Sequence, residues 1–166
     1  MRSLPGVIVI AGLMAGMASV GQAGEDLLTE KILPLELLER AAHAAIASCA
    51  AKERRISVVM VDAYGNTKLM LVSDGGIYTT ADSARRKAYT AAMMRQATSS
   101  IQQRIAANPG APLPGDGNPA FLFLAGGLPI WVGSQVVGAI GVGGAASEQD
   151  ELCAQAGIDG IQAFLH

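Results

Sequence analysis

The order of the β-strand patterns constrains the fold of this 166-residue chain more than any other feature. Short β-branched runs follow one another across brief turns, whereas parallel strands need crossovers of a dozen or more residues. The patterns predict helix 34–53, strands 56–62 and 68–72, helices 80–95 and 99–108, strands 121–124, 129–132 and 136–142, and a last helix from 147 to about 165. This α-β-β-α-α-β-β-β-α order predicts an α+β fold with a five-stranded antiparallel sheet flanked by helices.

The first 23 residues are typical of a secretory signal peptide. Arg2 precedes an uncharged run over 7–20, and small residues stand at Gly21 and Ala23. Glycines interrupt this run, which is too short for a stable span of about 20 strongly apolar residues. Cleavage after Ala23 leaves 24–166 as a single predicted domain, which we expect in the periplasm or secreted. We expect none of the later segments to span a membrane.

Composition argues against two classes of protein. Hydrophobic residues make up 51% of the chain, charged residues make up 16%, and the formal net charge is −2. Disorder requires low hydrophobicity with high net charge, and nucleic-acid binding requires a basic surface. We therefore expect a folded protein that binds no nucleic acid.

The low fraction of charged residues also bears on assembly. The chain has more apolar surface than a small single domain needs to bury, so we expect a homo-oligomer.

The two cysteines, Cys49 and Cys153, lie in the first and last predicted helices. In an oxidising compartment they could form a disulfide, provided that the two helices are neighbours with close Cα atoms. The alternative is a pair of buried free thiols that act as small hydrophobic side chains. Neither cysteine has a CxxC partner, so redox catalysis and structural zinc are poorly supported.

A glycine-rich turn, Gly141-Val-Gly-Gly-Ala-Ala146, follows a predicted strand and precedes a helix. It matches GxGxxA, but a dinucleotide-binding fold also needs a further strand and an acidic residue about 20 positions on, which the sequence does not supply. Two interpretations remain open. The glycines allow close packing of a helix on the sheet, or the backbone N–H groups line an anion pocket.

Few residues could bind a cofactor. His43 is one of two histidines, and it is either solvated on a helix flank or an axial ligand to a haem iron. Tyr78 and Thr79 could supply a hydroxyl ligand, although capping of the next helix is the simpler role for a threonine. The consecutive residues Arg85, Arg86 and Lys87 could bind carboxylates such as haem propionates, or could in part be solvated.

Several segments together resemble the haem-degrading domain family, which includes GlcG- and HbpS-like proteins and the C-terminal domain of PduO-type proteins. They are VDAYGN at 61–66, TADSARRKAYTA at 80–91, GGLPI at 126–130, VGAIGVGG at 137–144 and DELCA at 150–154. The resemblance covers about residues 33–163. It implies a profilin-like or PAS-like fold, assembly into octamers or smaller oligomers, haem binding, and either haem breakdown, iron sequestration or a sensory role with a partner protein.

The resulting hypothesis is an exported haem-binding protein that sequesters haem or degrades it slowly. Iron would be held by His43, or by Tyr78 or Thr79. The propionates would lie near the basic cluster that Arg85 begins. The alternative is a periplasmic small-acid-binding or sensory accessory module without haem.

Overall fold

A computed structural model describes residues 30–166 of the chain, apart from the side chain of Asp116. The predicted signal peptide, 1–23, lies outside the described residues. The elements are α1 (Leu35–Ala50), β1 (Ser57–Asp62), β2 (Thr67–Val72), α2 (Tyr78–Met94), α3 (Thr98–Ala107), β3 (Gly127–Val132), β4 (Gln135–Gly143) and α4 (Ser147–Asp159), with short 3₁₀ turns at Pro114–Gly117 and Gln162–Phe164. Within this described part, no helix is long and apolar enough to cross a membrane.

The strands form one antiparallel sheet in the order β2-β1-β4-β3. This confirms the predicted α+β class and the antiparallel pairing, and all four predicted helices are present. The last helix ends at Asp159 instead of about 165, and a 3₁₀ turn follows it.

The prediction of a fifth strand at 121–124 is wrong, because this segment binds helix α2 and not the sheet. The Leu122 N–H donates to Thr90 Oγ1 at 2.8 Å, and the Arg86 guanidinium donates to the Phe121 carbonyl at 2.9 Å. The ring of Phe121 lies 5.4 Å from that of Tyr89 and 6.0 Å from that of Phe123. The alternating apolar side chains therefore anchor a loop on the outer surface of a helix.

Helices cover both faces of the sheet. Alternate strand residues point to opposite faces, so Val58 and Met60 of β1 belong to the core beneath α1 and α4, whereas Val59 and Val61 pack against α2. The result is three layers, with α1 and α4 on one face of the sheet and α2 on the other.

The glycines of β4 allow α2 to approach the sheet closely. A Cβ atom built on Gly141 would lie 2.1 Å from the Ala84 carbonyl oxygen, and one on Gly143 would lie 2.6 Å from the Thr80 carbonyl oxygen. Any larger side chain would push the helix away, so the packing interpretation of this motif is supported.

A disulfide joins the two helices of one layer. Cys49 of α1 and Cys153 of α4 are bonded, with their Cα atoms 5.7 Å apart and both side chains fully buried. Since α1 and α4 are neighbours, the condition that the sequence left open is met, and the alternative of two free thiols does not apply.

Candidate functional site

His43 lies at the rim of an open cleft between the end of α1 and the end of β2. The cleft, here called the His43 cleft, has a volume of about 600 Å³, which is within the range of ordinary ligand sites. Its lining residues are His43, Ile46, Ala50, Glu53, Arg54, Arg55, Val72, Ser73 and Asp74.

The termination of α1 places two arginines beside this cleft. Glu53 adopts a left-handed conformation with φ of 55°, its N–H donates to the Ala50 carbonyl at 2.9 Å, and the Arg54 N–H donates to the Cys49 carbonyl at 3.1 Å. These two bonds form a Schellman motif, which ends a helix and turns the chain away from its axis. Arg54 and Arg55 therefore enter the cleft wall before β1 begins at Ser57.

The backbone opposite the arginines is shaped to accept one of them. Gly75 has a φ of 75°, and a Cβ atom built there would lie 2.8 Å from a terminal guanidinium nitrogen of Arg55. The Arg55 side chain thus rests directly on the turn after β2. A glycine at this position provides both the left-handed backbone and the space for the guanidinium.

The cleft combines three kinds of chemistry. The exposed imidazole of His43 can supply a nitrogen ligand to a metal, the apolar side chain of Ile46 can contact a hydrophobic ring, and two guanidinium groups can bind carboxylates. Glu53 and Asp74 also line the cleft, and their negative charges oppose the binding of a highly charged anion. The arrangement suits a mostly apolar ligand that carries carboxylate groups.

His43 was predicted from the sequence as a candidate ligand, whereas Arg54 and Arg55 were not predicted as site residues. The available signal was the short basic stretch of Lys52, Arg54 and Arg55 immediately before a predicted strand. That signal was weak because consecutive charges near a helix end are usually solvated, and only the turn at Glu53 directs these residues toward His43.

The other predicted site residues lie on α2, in the layer opposite α1. Tyr78 begins this helix with 82% of its side chain exposed, and Thr79 is exposed beside it. Neither side chain caps the helix. The neighbouring Thr80 instead donates to the Ile77 carbonyl at 2.6 Å.

The three residues of the basic cluster have three different environments. Arg85 forms a half-exposed ion pair with Asp82 at 2.9 Å, and Arg86 donates to the Phe121 carbonyl. Lys87 is only 2% exposed, so a bound molecule cannot reach it in this structure. Arg85 is the member that remains open to a ligand.

Lys87 forms a buried ion pair with Asp150. Its ammonium donates to Asp150 Oδ2 at 2.6 Å and to the Val142 carbonyl at 3.1 Å, so one side chain of α2 links α4 to β4. Burial raises the pKa of Asp150, while the hydrogen bond and the charge of Lys87 oppose that shift. No sequence pattern predicted this pair, although Lys87 and Asp150 lie in the family-like segments at 80–91 and 150–154.

Asp150 also resolves the second interpretation of the glycine-rich turn. Its Oδ1 accepts a hydrogen bond from the Ala145 N–H at 2.9 Å, at the point where α4 begins. A carboxylate of the chain itself thus occupies the position that an external anion would take. The described geometry does not support an anion pocket at this turn.

The structure therefore divides the predicted residues into two groups, His43 on α1 and the remainder on α2. Val72 lines the His43 cleft, and its side chain also lies against Gly76, two residues before Tyr78.

Comparison with known proteins identifies the family to which this chain belongs. Residues 33–159 match the model of the family described as haem degrading protein HbpS-like. The chain belongs to this family, as the sequence resemblance indicated.

Particular members of known structure or sequence resemble the chain over most of its length. A double mutant of HbpS from Streptomyces reticuli has a TM-score of 0.73 and 35% identity, covering 93% of this chain and 97% of that one. The PduOC:heme complex has a TM-score of 0.73 and 26% identity, covering 79% and 96%. An uncharacterized 15.0 kDa protein from the dhaT-dhaS intergenic region of Citrobacter freundii is 39% identical over 103 residues, which are 60% of this chain and 71% of that protein.

Proposed function

We propose that this protein is an exported haem-binding protein and that haem binds in the His43 cleft. The observation that carries the proposal is the combination in one cleft of an exposed imidazole, apolar side chains and two guanidinium groups. Membership of the HbpS-like family and the likeness to the PduOC:heme complex support it.

Each cleft residue has a distinct role in this proposal. The imidazole of His43 would hold the iron, since a single histidine can be the protein ligand of a haem iron. Arg54 and Arg55 would bind the propionates, and Ile46 would contact the ring edge. Bound haem supplies an iron centre, while the chain supplies the ligand, the counter-charges and the apolar contact. Tyr78 is the second candidate ligand.

The proposed activity is either haem sequestration or slow haem breakdown. Breakdown would be tested by following the loss of bound hemin under peroxide or reductant. Because free hemin also decays, the criterion is a rate faster than that of hemin alone. An equal or slower rate supports sequestration without degradation.

The runner-up function is a periplasmic small-acid-binding or sensory accessory module without haem. The two arginines favour it, since they would bind the carboxylate of a small acid equally well. A thermal-shift screen of small carboxylic acids distinguishes the two functions. Stabilisation by an acid without any response to hemin would favour the module.

The disulfide supports the proposal of export, because disulfides form and persist in oxidising compartments such as the periplasm. The signal-peptide pattern at residues 1–23 supports it as well.

We also propose that the mature protein is a homo-oligomer, on the basis of the large apolar side chains that remain exposed, such as Ile77 and Tyr78.

The proposal is tested by titrating the purified apo-protein with hemin and recording the Soret band. We expect a shift that saturates at one hemin per chain. The absence of any shift at micromolar hemin would contradict the proposal.

Replacing both arginines, as Arg54→Gln with Arg55→Gln, should weaken hemin binding about a hundredfold or more, since each charge-assisted hydrogen bond contributes about 1.5–3 kcal/mol and each tenfold corresponds to 1.4 kcal/mol. The matched control is Arg40→Gln on α1, whose guanidinium lies 5.0 Å from the Phe164 ring. Hemin affinity should be unchanged in the control. An equal loss in both variants would show that the cleft arginines have no specific role.

A further inference from the structure

A second groove lies along β3, at the opposite edge of the sheet from β2 and the His43 cleft. Its walls are the link between α2 and α3 on one side and the C-terminal half of α4 on the other. The groove, here called the β3 groove, has a volume of about 460 Å³, which is enough for a small ligand. Its lining includes Arg95, Gln96, Trp131, Gln155, Ile158 and Gln162.

The single tryptophan of the chain lines this groove. The pairing of β3 with β4 shifts by one residue between Ile130 and Trp131, and irregularities of this kind redirect side chains at the edges of sheets. Ile130 is fully buried, whereas Trp131 is 41% exposed. The indole therefore offers a broad, flat apolar surface to a bound molecule.

Three exposed glutamines supply amide groups to the same groove. The Gln96 Oε1 accepts from Arg104 at 2.9 Å, and the Gln155 Nε2 donates to Asp159 at 2.8 Å. Each of these amides keeps its other polar atom without a partner among the described residues, and the side chain of Gln162 makes no hydrogen bond to them. Since an amide has both a donor and an acceptor, this set can bind several hydroxyl groups.

Arg95 is the only charged side chain among the described residues that line the β3 groove. It ends α2 in a left-handed conformation, with φ of 52°, and it forms no ion pair with another described residue. A guanidinium without a counter-charge favours an anion. One guanidinium balances the single charge of a carboxylate, whereas a phosphate group carries a charge of about −1.5 to −2.

The β3 groove lacks what other classes of ligand require. Its described lining contains no histidine, cysteine, methionine or tyrosine, so it offers none of the usual protein ligands of a haem iron. An added peptide strand would meet Pro129 of β3, which has no N–H group to donate. An aromatic surface with several amides and one cation fits a ring that carries hydroxyl groups and one negative charge.

We propose that the β3 groove binds a pyranose sugar that carries one carboxylate, which is the class of the uronic acids. The carbon-bound hydrogens of the sugar ring would pack on the indole of Trp131, the hydroxyl groups would exchange hydrogen bonds with the three glutamines, and Arg95 would bind the carboxylate. This proposal is independent of the haem function, because the His43 cleft lies at the other edge of the sheet.

Tryptophan fluorescence tests the proposal directly, because Trp131 is the only tryptophan in the chain. The protein is titrated with glucuronic acid, with glucose, which has a hydroxymethyl group in place of the carboxylate, and with benzoate, which has a carboxylate but no hydroxyl groups. We expect glucuronate to bind about tenfold or more tightly than glucose, and tenfold corresponds to 1.4 kcal/mol. Benzoate should bind more weakly than glucuronate. No response to either sugar at millimolar concentration, equal affinities for both, or tighter binding of benzoate would overturn the proposal.

Variants then locate the site. Arg95→Gln should lower the affinity for glucuronate to that for glucose and leave the affinity for glucose unchanged. Trp131→Leu should bind neither sugar, as measured by calorimetry, and should keep its hemin affinity, with its fold checked by circular dichroism. The matched control, Arg54→Gln with Arg55→Gln in the His43 cleft, should bind glucuronate like the wild type. Unchanged glucuronate affinity in Arg95→Gln, or a loss in the control, would overturn the assignment to the β3 groove.

Discussion

Replacing Cys49 and Cys153 together by alanine should lower the free energy of unfolding by about 4–5 kcal/mol. The crosslink closes a loop over a sequence separation of 104 residues, and in the chain-entropy model a loop of about 100 residues contributes about 4.7 kcal/mol by restricting the unfolded chain. Both side chains are fully buried, so the alanine pair also removes two sulfur atoms from the core. Urea denaturation monitored by circular dichroism measures the loss.

Reduction supplies the matched control. Wild-type protein unfolded in the presence of a dithiol should lose a similar amount of stability, whereas the alanine pair should be insensitive to the reductant. If the oxidised and reduced wild type unfold at the same urea concentration, then either the bond is absent or it does not contribute to stability.

The second large effect concerns the buried ion pair. Lys87→Met should destabilise the protein by about 3–5 kcal/mol, because it leaves the Asp150 carboxylate buried without its counter-charge. In the double variant Lys87→Met with Asp150→Asn no charge is buried, and the asparagine oxygen still accepts from the Ala145 N–H. The double variant should therefore recover most of the loss, and a double-mutant cycle by urea denaturation would show strong coupling. Additive single effects would contradict a direct ion pair.

The same pair has a defined pH signature. Burial raises the pKa of Asp150 above its ordinary value of 3.8, so the folded state of Lys87→Met holds a proton that the unfolded chain releases more readily. Stability from such a group is fully present below the unfolded pKa and is lost as the pH rises through the folded pKa. Lys87→Met should have a lower free energy of unfolding than the double variant with Asp150→Asn, and this difference should therefore become smaller as the pH is lowered toward 3.8.

Local sequence patterns predicted most of the fold. The β-branched run at β1 and the glycine-rich β4 define central strands that are buried between layers. Apolar spacing predicts the first helix, and cap-like residues predict the starts of the other three. The segment at 121–124 was misassigned because its alternation of phenylalanine and leucine fits a strand equally well. Its true partners, Thr90 and Arg86, lie more than thirty residues earlier on a helix, and no local pattern reports such a contact.

The candidate haem site could be predicted from the sequence only in part. The sequence does not show which face of the sheet each helix covers. His43 and the cluster around Arg86 both qualify as haem contacts by residue type. Only the three-layer arrangement separates them and buries Lys87. The position of Arg54 and Arg55 in the cleft depends on the left-handed turn at Glu53. A non-glycine residue seldom adopts this conformation, so the sequence did not predict it.

Assignment of the iron ligand is the most direct test of the proposed function. One equivalent of hemin is added to the wild-type protein and to three single variants, His43→Ala, His166→Ala and Tyr78→Ala. His166→Ala replaces the second of the two histidines. The absorption and electron paramagnetic resonance spectra are then compared. We predict that His43→Ala alone loses the imidazole-ligated spectrum, with affinity lowered about tenfold or more, and that free imidazole restores the spectrum. An unchanged spectrum in His43→Ala, or its loss in Tyr78→Ala instead, would contradict the assignment of His43 as the haem ligand.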